Sequence, residues 1–149
     1  MSTETIHEIL AKSYLSYFLA SLFALFLDSF ISISIHIPHA RMIAIICLVV
    51  GPLLMLWAQY TSRHCEQAGH PKEHYFFHGP YRIVRNPTHL GILILVLGYT
   101  VISSSVIFFG VTLIGYIISN IFFNRYEAAL EEKYGDLYKR YRSTVRKLL

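Results

Sequence analysis

Charge is what this sequence has least of. Of its 149 residues, 15% are Asp, Glu, Lys or Arg and 54% are hydrophobic, whereas soluble domains carry roughly a quarter charged residues. That balance excludes an ordinary water-soluble globule. It also excludes intrinsic disorder, which needs low hydrophobicity. Two cysteines are too few for a disulfide scaffold, and no collagen, heptad or solenoid period is present. Residues 1–12 carry Glu4 and Glu8 but no basic n-region, and the apolar run after them lacks a small-residue cleavage site. That run is therefore expected to remain as a membrane helix. What is left is a single-domain integral membrane protein.

The apolar runs give its architecture. About 20 residues cross ~30 Å of hydrocarbon, and Tyr14 to Ile37 suffices, with Pro38 ending it and His36 to Ala40 forming a tight turn. A second helix is expected from about Met42 to Tyr60, kinked at Gly51-Pro52 and closed by Trp57 and Tyr60 at an aromatic belt. From Thr88 to Asn124 there is no Asp, Glu, Lys or Arg. Ser103-Ser104-Ser105 divides that stretch into helices at about 88–102 and 106–124. Gly91 and Gly98, seven apart, would permit close helix packing. Beyond Arg125, the residues Tyr126, Leu130, Tyr134, Leu137, Tyr141 and Val145 recur at helical steps. They predict an amphipathic segment over 125–148, interrupted at Gly135. The expected fold is all-α, a bundle of about four transmembrane helices over residues 1–149.

Four spans place both termini on one side. Every Lys and Arg except Arg41 then falls on that side, so the positive-inside rule makes it cytoplasmic. A charge distributed over loops between spans is not a nucleic-acid surface, and no nucleic-acid partner is expected.

Reactive side chains crowd into the run from His78 to Gly91. It holds Gly-Pro and Asn-Pro turns, Arg82, Arg85 and several rings. Pro87 suits the first turn of a helix, whose N-terminus would attract anions beside Arg85. On composition alone, a positive-inside anchor explains the arginines equally well. His70, His74 and His78 share an i, i+4, i+8 spacing that could hold zinc, but Gly69, Pro71 and Gly79-Pro80 break the helix it needs, so no metal site is assigned. Asp28, alone inside an apolar helix, is expected to be hydrogen-bonded and neutral.

Gly79-Pro80-Tyr81, then Arg85-Asn86-Pro87, His89 and Gly91 resemble the Gly-Pro-Tyr…Arg-His-Pro-x-Tyr-x-Gly pattern of the isoprenylcysteine carboxyl methyltransferase family. Glu127-x-x-Leu130 and Tyr134-Gly135-x-x-Tyr138-x-x-Tyr141 resemble its Glu-Glu-x-x-Leu…Phe-Gly-x-x-Tyr-x-x-Tyr ending, and Trp57-Ala58 fits as well. The resemblance covers residues 51–145. It departs at Asn86, where the family has His, at His89, where it has Tyr, and at Tyr126, where it has the first Glu. The family consists of membrane enzymes that use S-adenosylmethionine, related to phospholipid methyltransferases. The resemblance implies that Tyr81, Asn86, Pro87, His89 and Glu127 hold that cofactor, with Glu73, His74, Tyr75 and Phe76 lining its site; Gly79 and Thr88 belong to the same motif.

The chemistry of the residues agrees. S-adenosylmethionine has a sulfonium, a zwitterionic end and a flat adenine. Glu127 offers a carboxylate, Arg85 and a helix N-terminus offer donors, and Tyr75, Phe76, Phe77 and Tyr81 offer aromatic surface. Arg85 and Glu127 are the expected catalytic pair. On a helical wheel Tyr116, Asn120, Asn124 and Glu127 share one arc, which puts Asn124 beside the cofactor; interhelical hydrogen bonding is the alternative for that stripe. The expected activity is methyl transfer to a lipophilic or small acceptor (carboxylate, thiol or amine) at the cytoplasmic face of the membrane. The alternatives are a non-catalytic or lipid-binding membrane subunit of the same fold, and a His-rich metal-binding membrane protein.

Overall fold

The computed structural model describes residues 6–31, 33–67 and 76–145. Among them are five α-helices, one turn of 3-10 helix and no β-strand. The order is α1 (Ile6–Phe30), α2 (Ala40–Gln67), the 3-10 turn (Gly79–Arg82), α3 (Pro87–Ser103), α4 (Val106–Tyr134) and α5 (Asp136–Thr144). Ala11–Phe30, Ala40–His64 and Val106–Tyr134 are long and apolar enough to cross a membrane, and α3 is a shorter apolar helix of 17 residues. Large apolar side chains on α1, α2 and α4 stay exposed, such as Phe18, Phe26, Ile45, Leu53, Leu113 and Ile117. A belt of that extent has no place in water and suits lipid.

The helices associate as two antiparallel pairs, α2 with α3 and α1 with α4. Small residues make the first pair possible. A Cβ on Gly91 would stand 2.8 Å from the Gly51 carbonyl oxygen, and one on Gly98 would stand 2.8 Å from Cys47 Cβ. Both glycines picked out by their spacing thus face α2, where backbone meets backbone. Polar contacts seam the second pair: Ser13 and Ser119 hydroxyls are 2.9 Å apart. Thr100 and Thr112 hydroxyls, also 2.9 Å apart, tie α3 to α4. In lipid such bonds hold helices that gain nothing from further apolar burial.

Several boundaries differ from the sequence expectation: α1 begins at Ile6 rather than Tyr14 and α2 runs past Tyr60 to Gln67, and two further differences have a clear local cause. The first helix stops at Phe30, well before Pro38. Residues 31–37, Ile-Ser-Ile-Ser-Ile-His-Ile, alternate with period two and are rich in β-branched side chains, which is a pattern for extended chain. The Ile35 N–H donates to the Ser104 carbonyl at 2.7 Å and the Val106 N–H to the Ile33 carbonyl at 3.0 Å. The segment thus forms one antiparallel bridge, Ser34 with Ser105. At the other end, α4 continues through Asn124 to Tyr134, because the sequence has no breaker before Gly135, which takes φ +56° and ends it. Only α5 is a separate C-terminal helix. Ser105 caps α4 and also donates its hydroxyl to Asp28 Oδ1 at 2.6 Å, which ties Asp28 of α1 to the start of α4.

Gly91→Val should lower the thermal unfolding midpoint in detergent, with overpacking of about 1–3 kcal/mol. Gly110 sits in the second turn of α4 with nothing within 4 Å of an added Cβ, so Gly110→Ala should raise the midpoint by roughly 0.5–1 kcal/mol. Equal effects from both would show that the Gly51–Gly91 approach is not tight.

Candidate active site

The site begins with a glycine that cannot be replaced. Gly79 has φ +55°, and a Cβ there would collide with the Thr61 side chain of α2. Pro80 and Tyr81 then form the 3-10 turn, whose fold-back is fixed by Ile83 and Val84 N–H groups donating to the Pro80 carbonyl. The turn delivers Arg85 to the start of α3. There Asn86 is the N-cap: its Oδ1 accepts from the His89 N–H at 3.2 Å, and Pro87 follows in the first turn.

Arg85 meets Glu127 of α4, Nη1 to Oε1 at 2.8 Å, with side chains 8% and 5% exposed. The two atoms are close without hydrogen-bond geometry. Arg85 Nε and Nη1, Glu127 Oε1 and Asn86 Nδ2 are all buried with no hydrogen-bond partner among the described residues. Buried polar atoms of native proteins are nearly always satisfied. Three donors and an acceptor without hydrogen-bond partners stand around one ion pair, a set whose chemistry would match a carboxylate together with a cationic or hydroxyl group.

Aromatic rings cover this pair. Phe76 stacks on Tyr141 at 5.0 Å and meets Tyr134 and Tyr138 edge-on, in a cluster completed by Leu130 and Val145. The Tyr141 hydroxyl donates to the Tyr81 carbonyl at 2.7 Å, fastening α5 over the turn. Tyr138 is 1% exposed. Burial, helped by the neighbouring Glu127 carboxylate and opposed by Arg85, pushes its hydroxyl above the ordinary tyrosine range. Burial also raises Tyr81, against a hydrogen bond with Thr88.

One helical turn deeper, His89 lies between three helices. Its ring is parallel to Phe123 of α4 at 5.6 Å. Nδ1 is 3.3 Å from the Ser119 hydroxyl and Nε2 is 3.5 Å from that of Tyr17 on α1. Three motif departures thus have local explanations. Asn86 caps α3, His89 spans to α4 and α1, and Tyr126 packs beside Phe123 and the aromatic cluster.

The structure brings Phe76, Gly79, Tyr81, Arg85, Asn86, Pro87, Thr88, His89 and Glu127 to one end of the bundle. Glu73, His74 and Tyr75 lie outside the described residues, as do His70 and residues 146–149. Asn124 is exposed. The buried row on α4 runs through Thr112, Gly115, Ser119, Phe123, Glu127 and Leu130, one position off the polar stripe that carries Asn124. Among the described residues, no three His, Cys, Asp or Glu come together. Ser13, Tyr17, Ser119 and Thr61 were not anticipated; a lone hydroxyl in an apolar helix was the available signal for the first three, and nothing in the sequence marks Thr61.

An apolar helical bundle with a buried arginine–carboxylate pair at one end is a membrane protein built around a polar site. The pattern of the phospholipid methyltransferase family matches residues 39–137, and the chain belongs to that family of membrane methyltransferases. No curated protein and no solved structure matches the chain. The match leaves out α1, and with it Ser13 and Tyr17, as well as Tyr138 and Tyr141 of the aromatic cover.

Asn86→Ala removes the α3 cap and should lower stability by about 1 kcal/mol. Asn86→Asp should retain most of it, read from thermal midpoints in detergent. An alanine variant as stable as wild type would show that the cap does not hold α3.

Proposed function

We propose that the protein is an S-adenosylmethionine-dependent methyltransferase acting at the cytoplasmic face of the membrane on a lipophilic or small acceptor. The observation that carries this reading is the open polar cradle around Arg85 and Glu127. The cofactor supplies a methyl group already activated on a cationic sulfur. Arg85, with the Asn86 amide, suits its carboxylate, and Glu127 suits its cationic or ribose side. Phe76 and Tyr81 suit its adenine, with Glu73, His74 and Tyr75 lining the same space by family resemblance. Gly79, Pro87, Thr88 and His89 shape the turn and the first turns of α3, and Asn124 stands at the rim.

The remaining work of the chain is alignment and exclusion of water. The buried aromatic cluster beside Arg85 and Glu127 supports exclusion of water, and the apolar bundle around it suits a lipophilic acceptor. A carboxylate or thiolate acceptor attacks as it stands, and an amine must first lose a proton. The basic residues gathered at this end, Arg82, Lys133, Lys139 and Arg140 among them, support the cytoplasmic orientation.

The test is calorimetric binding of S-adenosylhomocysteine to the purified full-length protein, beside Glu127→Gln and Arg85→Ala. Saturable binding that each substitution weakens about tenfold or more, in folded protein, is the expected result. No binding in detergent and in nanodiscs would overturn the reading and leave a non-catalytic member of the family.

A further inference from the structure

The end of the bundle away from Arg85 carries a second polar feature. A cleft of about 540 Å³ opens between the extended segment after α1, the start of α2 and the end of α3. His36, His39 and Arg41 line it together with the Ser104 turn, and Ile37 and Ile102 supply its apolar side. None of its described lining residues is acidic, and Asp28, the acid of α1 nearest this end in sequence, is engaged by the Ser105 hydroxyl. The volume lies in the range of small-molecule sites.

Three further observations bear on what fits there. First, Arg41 is the one Lys or Arg between Lys12 and Arg63, so this end has a single permanent cation and it borders the cleft. Second, the cleft walls are pinned rather than loose. Backbone hydrogen bonds join Ile35 to Ser104 and Val106 to Ile33, and His39 holds φ +58° at the turn into α2. Third, an exposed apolar row on α2, Met42, Ile45, Ile46, Val49 and Leu53, descends directly from Arg41. α3 spans 17 residues, about 25 Å, so the cleft and the Arg85–Glu127 site lie near opposite surfaces of a ~30 Å hydrocarbon layer.

We propose that this cleft binds the phosphate of an anionic phospholipid, with His36, His39 and Arg41 around the phosphate and an acyl chain laid along the exposed row of α2. A guanidinium and imidazoles match a phosphate by charge and hydrogen bonding. The apolar row continuing from the cleft favours an amphiphile over free phosphate. The site is distinct from the methyltransferase cradle and does not depend on how that cradle is used.

The experiment measures saturable binding of short-chain phosphatidylglycerol to the full-length protein in neutral detergent, with short-chain phosphatidylcholine and inorganic phosphate as parallel probes. Three proteins are compared: wild type, a triple variant His36→Gln/His39→Asn/Arg41→Gln, and a charge-loss control Lys139→Gln/Arg140→Gln on exposed α5. Asparagine is chosen at 39 because it tolerates the left-handed backbone. Arg41→Gln alone, at an exposed position, gives the same reading with a smaller loss should the triple variant not fold. The proposal expects phosphatidylglycerol binding weakened about tenfold or more in the triple variant, unchanged in the α5 control, and not reproduced by phosphate or phosphatidylcholine. Equal weakening in both variants would reduce the effect to general surface charge and overturn it. Binding of phosphate as tight as that of the lipid would also overturn it, assigning the cleft to a free anion, and so would the absence of saturable binding.

Discussion

Taking a guanidinium and a carboxylate out of water costs several kcal/mol per ion, and their attraction repays this only when geometry and surrounding hydrogen bonds are good. Arg85 and Glu127 are buried together at 2.8 Å, yet several of their polar atoms make no hydrogen bond among the described residues. The rest of the structure can be understood as what holds this costly pair in place. Arg85 arrives from a turn that only a glycine at 79 permits, and Glu127 from the buried row of a helix 29 residues long. α3 is held against α2 by glycines, and α5 is fastened over the pair by the Tyr141–Tyr81 bond. A soluble protein of this size would spend its apolar area on a core; here most of it faces lipid, and specificity of packing comes from glycine contacts and paired hydroxyls.

Helix lengths then fix where chemistry is possible. α4 at 29 residues is about 44 Å long, more than hydrocarbon requires, so its last turns carry Glu127, Glu131 and Lys133 clear of the apolar layer. α3 is short and begins at Pro87, so its N-terminus lies at the same level. The ion pair therefore lies at the level of a membrane interface, buried beneath the aromatic cluster. The hydroxyls of Tyr17 and Ser119 meet His89 one turn deeper, and Ser13 meets Ser119, so α1, which lies outside the family match, still packs beneath the ion pair.

Much of this was legible in residue order, and the exceptions have physical causes. Apolar runs identify membrane helices because length and composition alone satisfy a bilayer. The pair Arg85 and Glu127 was marked by two motifs, and Gly91 and Gly98 by their spacing. The end of α1 at Phe30 is hard to read in the sequence because Ile31 to Ile37 is as apolar as a helix on average; only its period-two alternation distinguishes it. Asn124 was put on a buried stripe because polar groups in hydrocarbon normally turn inward, but on α4 the row one position away, through Ser119 and Phe123, is the buried one. The capping role of Asn86 and the contacts of His89 with Tyr17 and Ser119 depend on distances between helices, which a helical wheel of one segment does not contain.

On the proposed function, the Arg85–Glu127 pair is unfavourable by itself and retained for its ligand. This is tested most directly by a double-mutant cycle of unfolding midpoints for wild type, Arg85→Met, Glu127→Leu and the double variant, each with and without saturating S-adenosylhomocysteine. Without ligand, each single variant should lose about 3–5 kcal/mol by stranding a buried charge, while the double variant should lose less than either. With ligand, only wild type should gain. Losses that simply add, or a double variant stabilised by the ligand as much as wild type, would contradict the account.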